Sequence, residues 1–206
     1  MRPGATLLVH SAAGGVGGSI LQLAKHAGMN SVAIVGSSKK VDTAKRMGAT
    51  HVIDKSSEDL WARAKEIAPR GYDVVLDANG AETLKQSYAS VKSAGRLVVY
   101  GFHTMMPRSG GRPNWLRLAY DFLRTPRFNP FDMLTKNKSV MAFNLSYLFN
   151  ETRLLEEAMG HVIGLIKDDK LVLPDVTRFA VEKVGEAHQA IESGTTVGKL
   201  VLTFGG

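Results

Sequence analysis

The most informative segment of this 206-residue chain is Val9-His10-Ser11-Ala12-Ala13-Gly14-Gly15-Val16-Gly17. It joins a strand-like apolar segment at 5–10 to a helix-like segment at 19–26. A glycine-rich turn in this context exposes the first N–H groups of a helix, and the helix dipole adds positive potential. A glycine turn without such flanking elements is more often structural. Here the flanking strand and helix favour a site for a dinucleotide pyrophosphate. The match to the motif G-x-G-x-x-G is imperfect, because Ala12 replaces its usual first glycine.

Strand-like and helix-like segments alternate beyond this turn. The predicted strands are 6–9, 31–35, 51–54, 72–77, 96–100, 140–145 and 198–204, with an extended stretch at 171–174. The predicted helices are 15–27, 39–47, 56–68 (with Ser56 or Ser57 as its N-cap), 81–91, 114–123, 151–167 and 183–193. Aliphatic strands separated by helices indicate a parallel sheet covered on both faces. We therefore predict an α/β fold, a doubly wound six-stranded Rossmann sheet in the order 3-2-1-4-5-6, with its ligand crevice beyond the carboxyl ends of the strands.

The end of the second predicted strand indicates which dinucleotide binds. An NAD site usually has an acid there, which binds the ribose hydroxyls. Here the sequence is Val35-Gly36-Ser37-Ser38-Lys39-Lys40, and no acid occurs before Asp42. Hydroxyls from Ser37 or Ser38 and the charge of Lys40 suit a 2′-phosphate. The alternative is a helix-capping serine beside a solvated lysine, and the missing acid favours NADP(H).

The positive charge of the chain is concentrated in one segment. The net charge is +7, and the segment 103–138 holds seven basic residues against two acidic ones, with aromatic residues among them. Such a segment can bind nucleic acid or a membrane surface. We favour a lid over the cofactor or a surface for a partner subunit, because long loops in compact domains are often lids. We expect no nucleic-acid partner, and peripheral membrane contact through 103–138 stays open.

Three further features are interpreted as structural. The chain has no cysteine and its six histidines are scattered, so we predict no metal site. The motif Tyr88-x-x-x-Lys92 matches a proton-donor pair of short-chain dehydrogenases, but it lies between the fourth and fifth strands, where that pair does not occur. Asp54 and Asp77 each end a strand and are interpreted as turn-forming acids. No catalytic residue is assigned.

Several motifs together carry a resemblance to a known family. They are Ala-Ala-Gly-Gly-Val-Gly at 12–17, Lys40 eight residues before Gly48-Ala49, Val-Val-Leu-Asp at 74–77, Gly-Arg-Leu-Val at 95–98 and Gly-Lys-Leu-Val-Leu at 198–202. With them the chain resembles the zinc-independent quinone oxidoreductase branch of the medium-chain dehydrogenase/reductase superfamily. The segments 112–114, 128–130, 137–140 and 143–148 resemble its vesicle amine transport protein subgroup.

The resemblance implies NADPH-dependent hydride transfer to a quinone or an enone. It implies that Gly15, Val16 and Gly17 face the pyrophosphate and that Ser37 and Lys40 hold the 2′-phosphate. It also implies that Phe102, Phe143 and Leu145 line the nicotinamide. The predicted cofactor-binding residues are Ala13, Gly14, Gly15, Val16, Gly17, Ser37, Lys40, Asn79, Gly101, Phe102, Phe143, Leu145 and Lys199. Of these, Asn79 lies on the adenosine side and Lys199 closes over the cofactor.

The chain also departs from the family pattern. Lys55 stands where many relatives have a tyrosine that stacks near the adenosine. The family's catalytic domain precedes the first Rossmann strand, so we expect an NADP-binding domain at 1–170, a C-terminal segment at 171–206 that would complete that domain, and a chain that is incomplete as an enzyme. The alternative is a catalytically inactive nucleotide sensor or a module that docks on a partner, RNA or a membrane. We expect a cytoplasmic protein, with mitochondrial association open, and a homodimer formed through a free strand edge.

Overall fold

The structure is a computed structural model, which describes residues 2–102, 115–193 and 196–205. The described strands are β1 (Thr6–Val9), β2 (Asn30–Val35), β3 (His51–Asp54), β4 (Tyr72–Asp77), β5 (Val91–Val99), β6 (Ser139–Ala142), β7 (Val176–Ala180) and β8 (Lys199–Thr203). The described helices are α1 (Gly15–His26), α2 (Val41–Arg46), α3 (Leu60–Ile67), α4 (Leu84–Ser90), α5 (Trp115–Arg124), α6 (Pro130–Lys136), α7 (Thr152–Lys167) and α8 (Val184–Glu192). Within the predicted basic segment 103–138, residues 103–114 lie outside the described residues.

The first six strands form one parallel sheet in the order β3-β2-β1-β4-β5-β6. This confirms the predicted fold class and the predicted strand order. The order reverses direction between β1 and β4, so the loops that follow these two strands diverge and leave a crevice at the carboxyl edge of the sheet. The turn at 10–14 and the turn at 78–83 both lie at this edge.

Apolar side chains cover both faces of the sheet. Leu7 and Val9 of β1 pack on the face that holds Leu21 of α1, whereas Leu8 packs on the opposite face with Ala64 of α3 and Leu84 of α4. Successive side chains of a strand point to opposite faces. A strand buried on both faces needs an unbroken aliphatic run, which is why β1 could be recognised from the sequence.

Two predicted helix boundaries were wrong because side chains compete with the helix. The helix predicted at 56–68 begins at Leu60, and Asp59 is its N-cap, accepting a hydrogen bond from the N–H of Ala62 at 2.8 Å. Ser56 is instead bound to the Asp54 carboxylate through both its N–H and its hydroxyl. The helix predicted at 81–91 begins at Leu84, after a turn that the Asp77 side chain holds.

Two elements were absent from the sequence prediction. Helix α6 begins at Pro130, and the side chain of Asn129 caps it by accepting from the N–H of Phe131 at 2.9 Å. The dipeptide Asn129-Pro130 is the sequence signal that could have indicated the start of this helix. Strand β7 lies at 176–180, beyond the stretch predicted as extended at 171–174. The predicted strand 140–145 is four residues long and ends at Ala142.

The C-terminal segment contacts the beginning of the chain. Strands β7 and β8 form a separate two-stranded parallel sheet. Gln22 of α1 donates to the carbonyl oxygen of Val172 at 3.0 Å and accepts from the N–H of the same residue at 2.7 Å. Gly198 forms a parallel bridge with Gly14. These contacts place the start of β8 beside the glycine-rich turn.

Helix α1 approaches the preceding turn very closely at Gly17. A Cβ built on Gly17 would lie 2.5 Å from the carbonyl oxygen of Ser11 and 2.6 Å from Cα of Ala12. Both neighbours are backbone atoms, so they cannot move aside as a flexible side chain would. Glycine is therefore required here by packing.

We predict that Gly17→Ala destabilises the domain by about 2 kcal/mol or more, because the added methyl group overpacks a rigid backbone contact. Chemical unfolding measured by circular dichroism checks this. The matched control is Gly160→Ala in α7, where nothing lies within 4 Å of the new Cβ. That change should be neutral or stabilise by up to about 1 kcal/mol. Equal unfolding midpoints for both variants would contradict the packing argument.

Candidate cofactor site

The predicted pyrophosphate site is the turn between β1 and α1. Ser11 has a left-handed conformation (φ 52°), and the N–H of Gly14 donates to its carbonyl oxygen at 3.0 Å. Gly14 is the N-cap of α1 and brings no side chain, so no side chain caps the first turn at Gly15, Val16 and Gly17. The first N–H groups of a helix lack intrahelical acceptors and favour an anion. The geometry of this turn suits a phosphate.

Lys199 lies against the same turn. A Cβ built on Gly15 would be 3.6 Å from Cε of Lys199 and 4.0 Å from its Nζ. The ammonium group is therefore carried to the N-terminus of α1 by the start of β8. The structure thus brings together a lysine and a turn that are far apart in the sequence.

A cavity of about 200 Å³, here called the lysine cavity, lies beyond the ends of β1 and β2. Its lining contains no carboxylate among the described residues and consists of Ser11, Ala13, Gly14, Ile34, Val35, Gly36, Lys40, Lys55 and Asn79. Burial lowers the pKa of the Lys40 ammonium. Of the two serines proposed for a 2′-phosphate, Ser38 donates to the Asp54 carboxylate at 2.7 Å, which leaves Ser37 as the candidate.

Lys55 also lines the lysine cavity, although it is not among the site residues predicted from the sequence. It lines the lysine cavity together with Lys40, and its Cε would lie 3.7 Å from a Cβ on Gly36. The signal was its position directly after β3, at the same edge of the sheet. Two ammonium groups in a cavity without a lining carboxylate favour an anionic ligand.

A second cavity of about 740 Å³, here called the aromatic cavity, lies beyond β5 and β6. It is lined by Val99, Tyr100, Gly101, Phe102, Ala142, Phe143, Asn144 and Ser146. The ring of Phe102 lies over Gly80 (φ 93°), where a Cβ would be 2.4 Å from Cδ1 of the ring. The predicted residues Gly101, Phe102 and Phe143 are therefore brought together. Leu145 is not in this lining and begins a 3₁₀ turn at Leu145–Tyr147.

Two other cavities lie at the opposite edge of the sheet, around Arg70 and Gly71. Their volumes are about 410 and 780 Å³. Their linings combine the loop at 68–71 with residues of α3, α4 and the amino ends of strands, and they contain none of the predicted site residues. Doubly wound sheets bind ligands at the carboxyl ends of their strands, so we assign the site to the carboxyl edge.

A buried polar cluster lies beneath the lysine cavity. His10 and Asp77 have no solvent exposure, and Ser87 of α4 contacts both. Asp77 accepts from the N–H groups of Asn79 and Gly80 at 2.8 and 3.1 Å. Its role as a turn-forming acid is thereby confirmed.

The His10 imidazole is held in its neutral form. Burial lowers its pKa to about 4, the nearby positive charge of Lys55 acts in the same direction, and the Asp77 carboxylate opposes both. The hydroxyl of Tyr100 donates to the carbonyl oxygen of His10 at 3.2 Å, and burial raises the pKa of that phenol to about 12. Both side chains are therefore uncharged at neutral pH.

The Tyr88 and Lys92 pair is not a catalytic pair in this structure. The Tyr88 hydroxyl donates to Asp132 at 3.1 Å, whereas the Lys92 ammonium pairs with Asp73 at 2.7 Å. Asp54, like Asp77, holds a turn by accepting from Ser56 and Ser38. In the structure, Tyr88 and Lys92 thus contact different carboxylates, and Asp54 contacts the turn that follows β3.

The described residues also bear on metals and membranes. In 2–102, 115–193 and 196–205, no three His, Cys, Asp or Glu side chains come together to hold a metal ion. No helix in these ranges has the length and apolar character of a membrane span.

The chain forms a doubly wound domain of the nucleotide-binding type. This follows from the order of its strands, from the glycine-rich turn between β1 and α1, and from the cavities at the carboxyl edge of the sheet. A family model described as zinc-binding dehydrogenase matches residues 15–160. The chain belongs to this family, in its zinc-independent quinone oxidoreductase branch. The family description names zinc, but the whole chain lacks cysteine and the described residues do not assemble a metal site.

Comparison with known proteins supports this assignment. The chain is 32% identical over 205 residues to the synaptic vesicle membrane protein VAT-1 homolog of Danio rerio, covering 98% of this chain and 42% of that protein. It is 34% identical over 204 residues to a 2-haloacrylate reductase of Burkholderia sp, covering 98% and 56%. The fold is similar to that of Escherichia coli quinone oxidoreductase complexed with NADPH, with a TM-score of 0.78, 28% identity and coverage of 98% and 58%. The chain spans about half the length of the curated relatives it matches.

We predict that stability falls as the pH drops from 6.5 to about 4, because the unfolded chain protonates His10 in this window and the folded chain does not. The loss attributable to His10 is about 3 kcal/mol in full. Urea unfolding at pH 7 and pH 4.5 measures it. His10→Gln should flatten the pH dependence, whereas His161→Gln, at an exposed position of α7, should keep it. Parallel pH dependences for wild type and His10→Gln would disprove the assignment.

Proposed function

We propose that this chain is the NADPH-binding domain of a zinc-independent quinone or enone oxidoreductase. The observation that carries the proposal is the lysine cavity, in which Lys40 and Lys55 lie beside the N-terminus of α1, where no side chain caps the helix. Bound NADPH would supply a hydride to an electrophilic double bond or a quinone. The protein would supply binding, orientation and charge.

The donor groups at the carboxyl edge fit the anionic parts of the cofactor. Residues 13–17 would hold the pyrophosphate through the first N–H groups of α1. The ammonium group of Lys199, at the start of β8, would neutralise part of the pyrophosphate charge. Ser37 and Lys40 would hold the 2′-phosphate, with Lys55 adding charge from β3. Fixed ammonium groups recognise phosphate as point charges.

The aromatic cavity is the proposed place for the nicotinamide. Gly101, Phe102 and Phe143 would line it, Leu145 would border it and Asn79 would lie toward the adenosine. We propose that residues 1–170 form the cofactor domain and that 171–206 contributes Lys199. The names quinone oxidoreductase and 2-haloacrylate reductase among the relatives support an electrophilic substrate.

The relatives are about twice as long as this chain, which supports a further proposal. Part of the substrate site of the whole enzyme would lie outside residues 1–206. The chain alone would then bind NADPH and reduce a quinone slowly or not at all. A homodimer is proposed as well, because β8 pairs only with β7 among the described strands and keeps an open edge.

We predict that Lys40→Ala weakens NADPH binding about tenfold or more and leaves NADH binding nearly unchanged, because only NADPH carries the 2′-phosphate. Isothermal titration calorimetry with both cofactors measures the two dissociation constants. Lys39→Ala is the matched control, since Lys39 is the adjacent lysine and does not line the lysine cavity. Equal affinities of the wild-type chain for NADPH and NADH would refute the NADP assignment.

A second candidate function is peripheral membrane contact by a cytoplasmic protein. It is favoured by α5, where Trp115 and Leu116 are 76% and 85% exposed and Leu123 is 78% exposed. The basic residues around α5 add attraction to anionic lipid. Such a helix would lie on a membrane surface and would not cross it.

We predict that anionic vesicles shift the fluorescence of Trp115 to shorter wavelength, because the indole would leave water for the lipid interface. Trp61→Phe makes Trp115 the only tryptophan, since the chain has two. Phosphatidylcholine vesicles are the control for charge, and added salt should reverse the shift. An unchanged spectrum with anionic vesicles at low salt would exclude this function.

A further inference from the structure

A continuous line of hydrogen bonds runs from the interior to the lysine cavity. It starts at the Asp77 carboxylate and passes to the hydroxyl of Ser87, the imidazole of His10 and the amide of Asn79. Asn79 in turn accepts from the hydroxyl of Ser11 at 3.2 Å. The first three side chains have no solvent exposure, whereas Asn79 and Ser11 line the lysine cavity.

The donor and acceptor roles along this line can be worked out by starting from the Asp77 carboxylate. Asp77 accepts from two N–H groups and from the hydroxyls of Thr83 and Ser87, so all its contacts require it to be an acceptor. A serine hydroxyl has one hydrogen, and the 2.6 Å contact with Asp77 uses the one on Ser87. The oxygen of Ser87 must then accept from Nε2 of His10, which lies 3.1 Å away.

The same reasoning fixes the rest of the line. A neutral imidazole carries one hydrogen, so Nδ1 of His10 is an acceptor when Nε2 is the donor. Nδ1 lies 3.1 Å from the amide nitrogen of Asn79, which donates to it. The carbonyl oxygen of Asn79 therefore faces Ser11. A flipped amide would set two acceptors against each other at His10.

We propose that the Asp77 carboxylate sets the orientation of the Asn79 amide. The orientation is transmitted by Ser87 and His10, which act as positioning residues. It makes the carbonyl oxygen of Asn79 an acceptor for a ribose hydroxyl of the bound dinucleotide. The inference rests on the proposed function for its ligand, whereas the positions of the hydrogens do not depend on it.

The direct test needs no cofactor. Long-range proton–nitrogen correlation spectra of the wild-type chain at pH 7 report which nitrogen of His10 carries the hydrogen. We expect Nε2 protonated and Nδ1 bare. Protonated Nδ1 with bare Nε2 would overturn the proposal, whether or not the chain binds NADPH.

The binding test uses variants of α4. Ser87→Ala removes the link to Asp77, and it should raise the dissociation constants of NADPH and NADH by the same factor of about five, because both carry the ribose. Ser87→Thr keeps a hydroxyl and should restore binding. Ser90→Ala is the matched control, since Ser90 donates only to the carbonyl of Gln86 in the same helix.

The outcomes separate the two proposals. Wild-type affinity in Ser87→Ala would overturn the positioning role, even if Lys40→Ala discriminates between the cofactors as expected. Absence of wild-type binding to both cofactors would refute the proposed function and leave the spectroscopic test of His10 in force. If Ser87→Ala does not fold, two other results test the proposed orientation of Asn79. They are the His10 nitrogen that carries the hydrogen in the wild-type spectrum and the NADPH affinity of Ser87→Thr.

Discussion

The buried carboxylate of Asp77 organises the carboxyl edge of the sheet. It ends β4, accepts four hydrogen bonds and thereby fixes both the turn that leads to α4 and the contact of α4 with His10 at the end of β1. A buried charge is tolerated only when such donors surround it. The crevice between the diverging loops therefore has a rigid floor, and the floor determines how the groups above it are oriented.

Positive charge reaches this crevice from three separate parts of the chain. Lys40 follows β2, Lys55 follows β3 and Lys199 begins β8. Lys40 ends the 3₁₀ turn that follows β2, Lys55 comes directly after β3, and Lys199 belongs to the separate sheet of β7 and β8. The parallel pairing of β2 and β3 brings Lys40 and Lys55 to one edge of the sheet, whereas the bridge between Gly198 and Gly14 positions Lys199. The N-terminus of α1, which no side chain caps, adds the dipole of a twelve-residue helix to the same region.

The individual strands could be predicted because the evidence for each is local, and their order follows from the topology of a doubly wound sheet. Buried runs such as 72–77 have no helical alternative when glycine and proline bound them. The start of α3 could not be predicted, because Ser56 satisfies the Asp54 carboxylate and Asp59 caps the helix, and either residue type caps helices equally well in isolation. The role of His10 was also missed. Spacing shows that a histidine is alone in the sequence but does not show that it is buried between two strand ends.

The site residues were predictable to different degrees. The turn at 13–17 follows from the glycine pattern, whereas Lys199 was proposed from family resemblance and is placed beside Gly15 by contacts across nearly the whole chain. Lys55 was noted as a departure and left out of the predicted site. Its place in the lysine cavity depends on the pairing of β2 with β3, which no local pattern reveals.

The bridge between Gly14 and Gly198 has a consequence for synthesis. The glycine turn leaves the ribosome before β8, because Gly198 follows Gly14 by 184 residues in the sequence. At about 5–20 residues per second, the turn waits on the order of ten seconds or more for its neighbour. During that interval the sheet can form around β1, but the glycine turn lacks its contact with Lys199. A nascent chain would therefore hold the parallel sheet before the ammonium group of Lys199 reaches the N-terminus of α1.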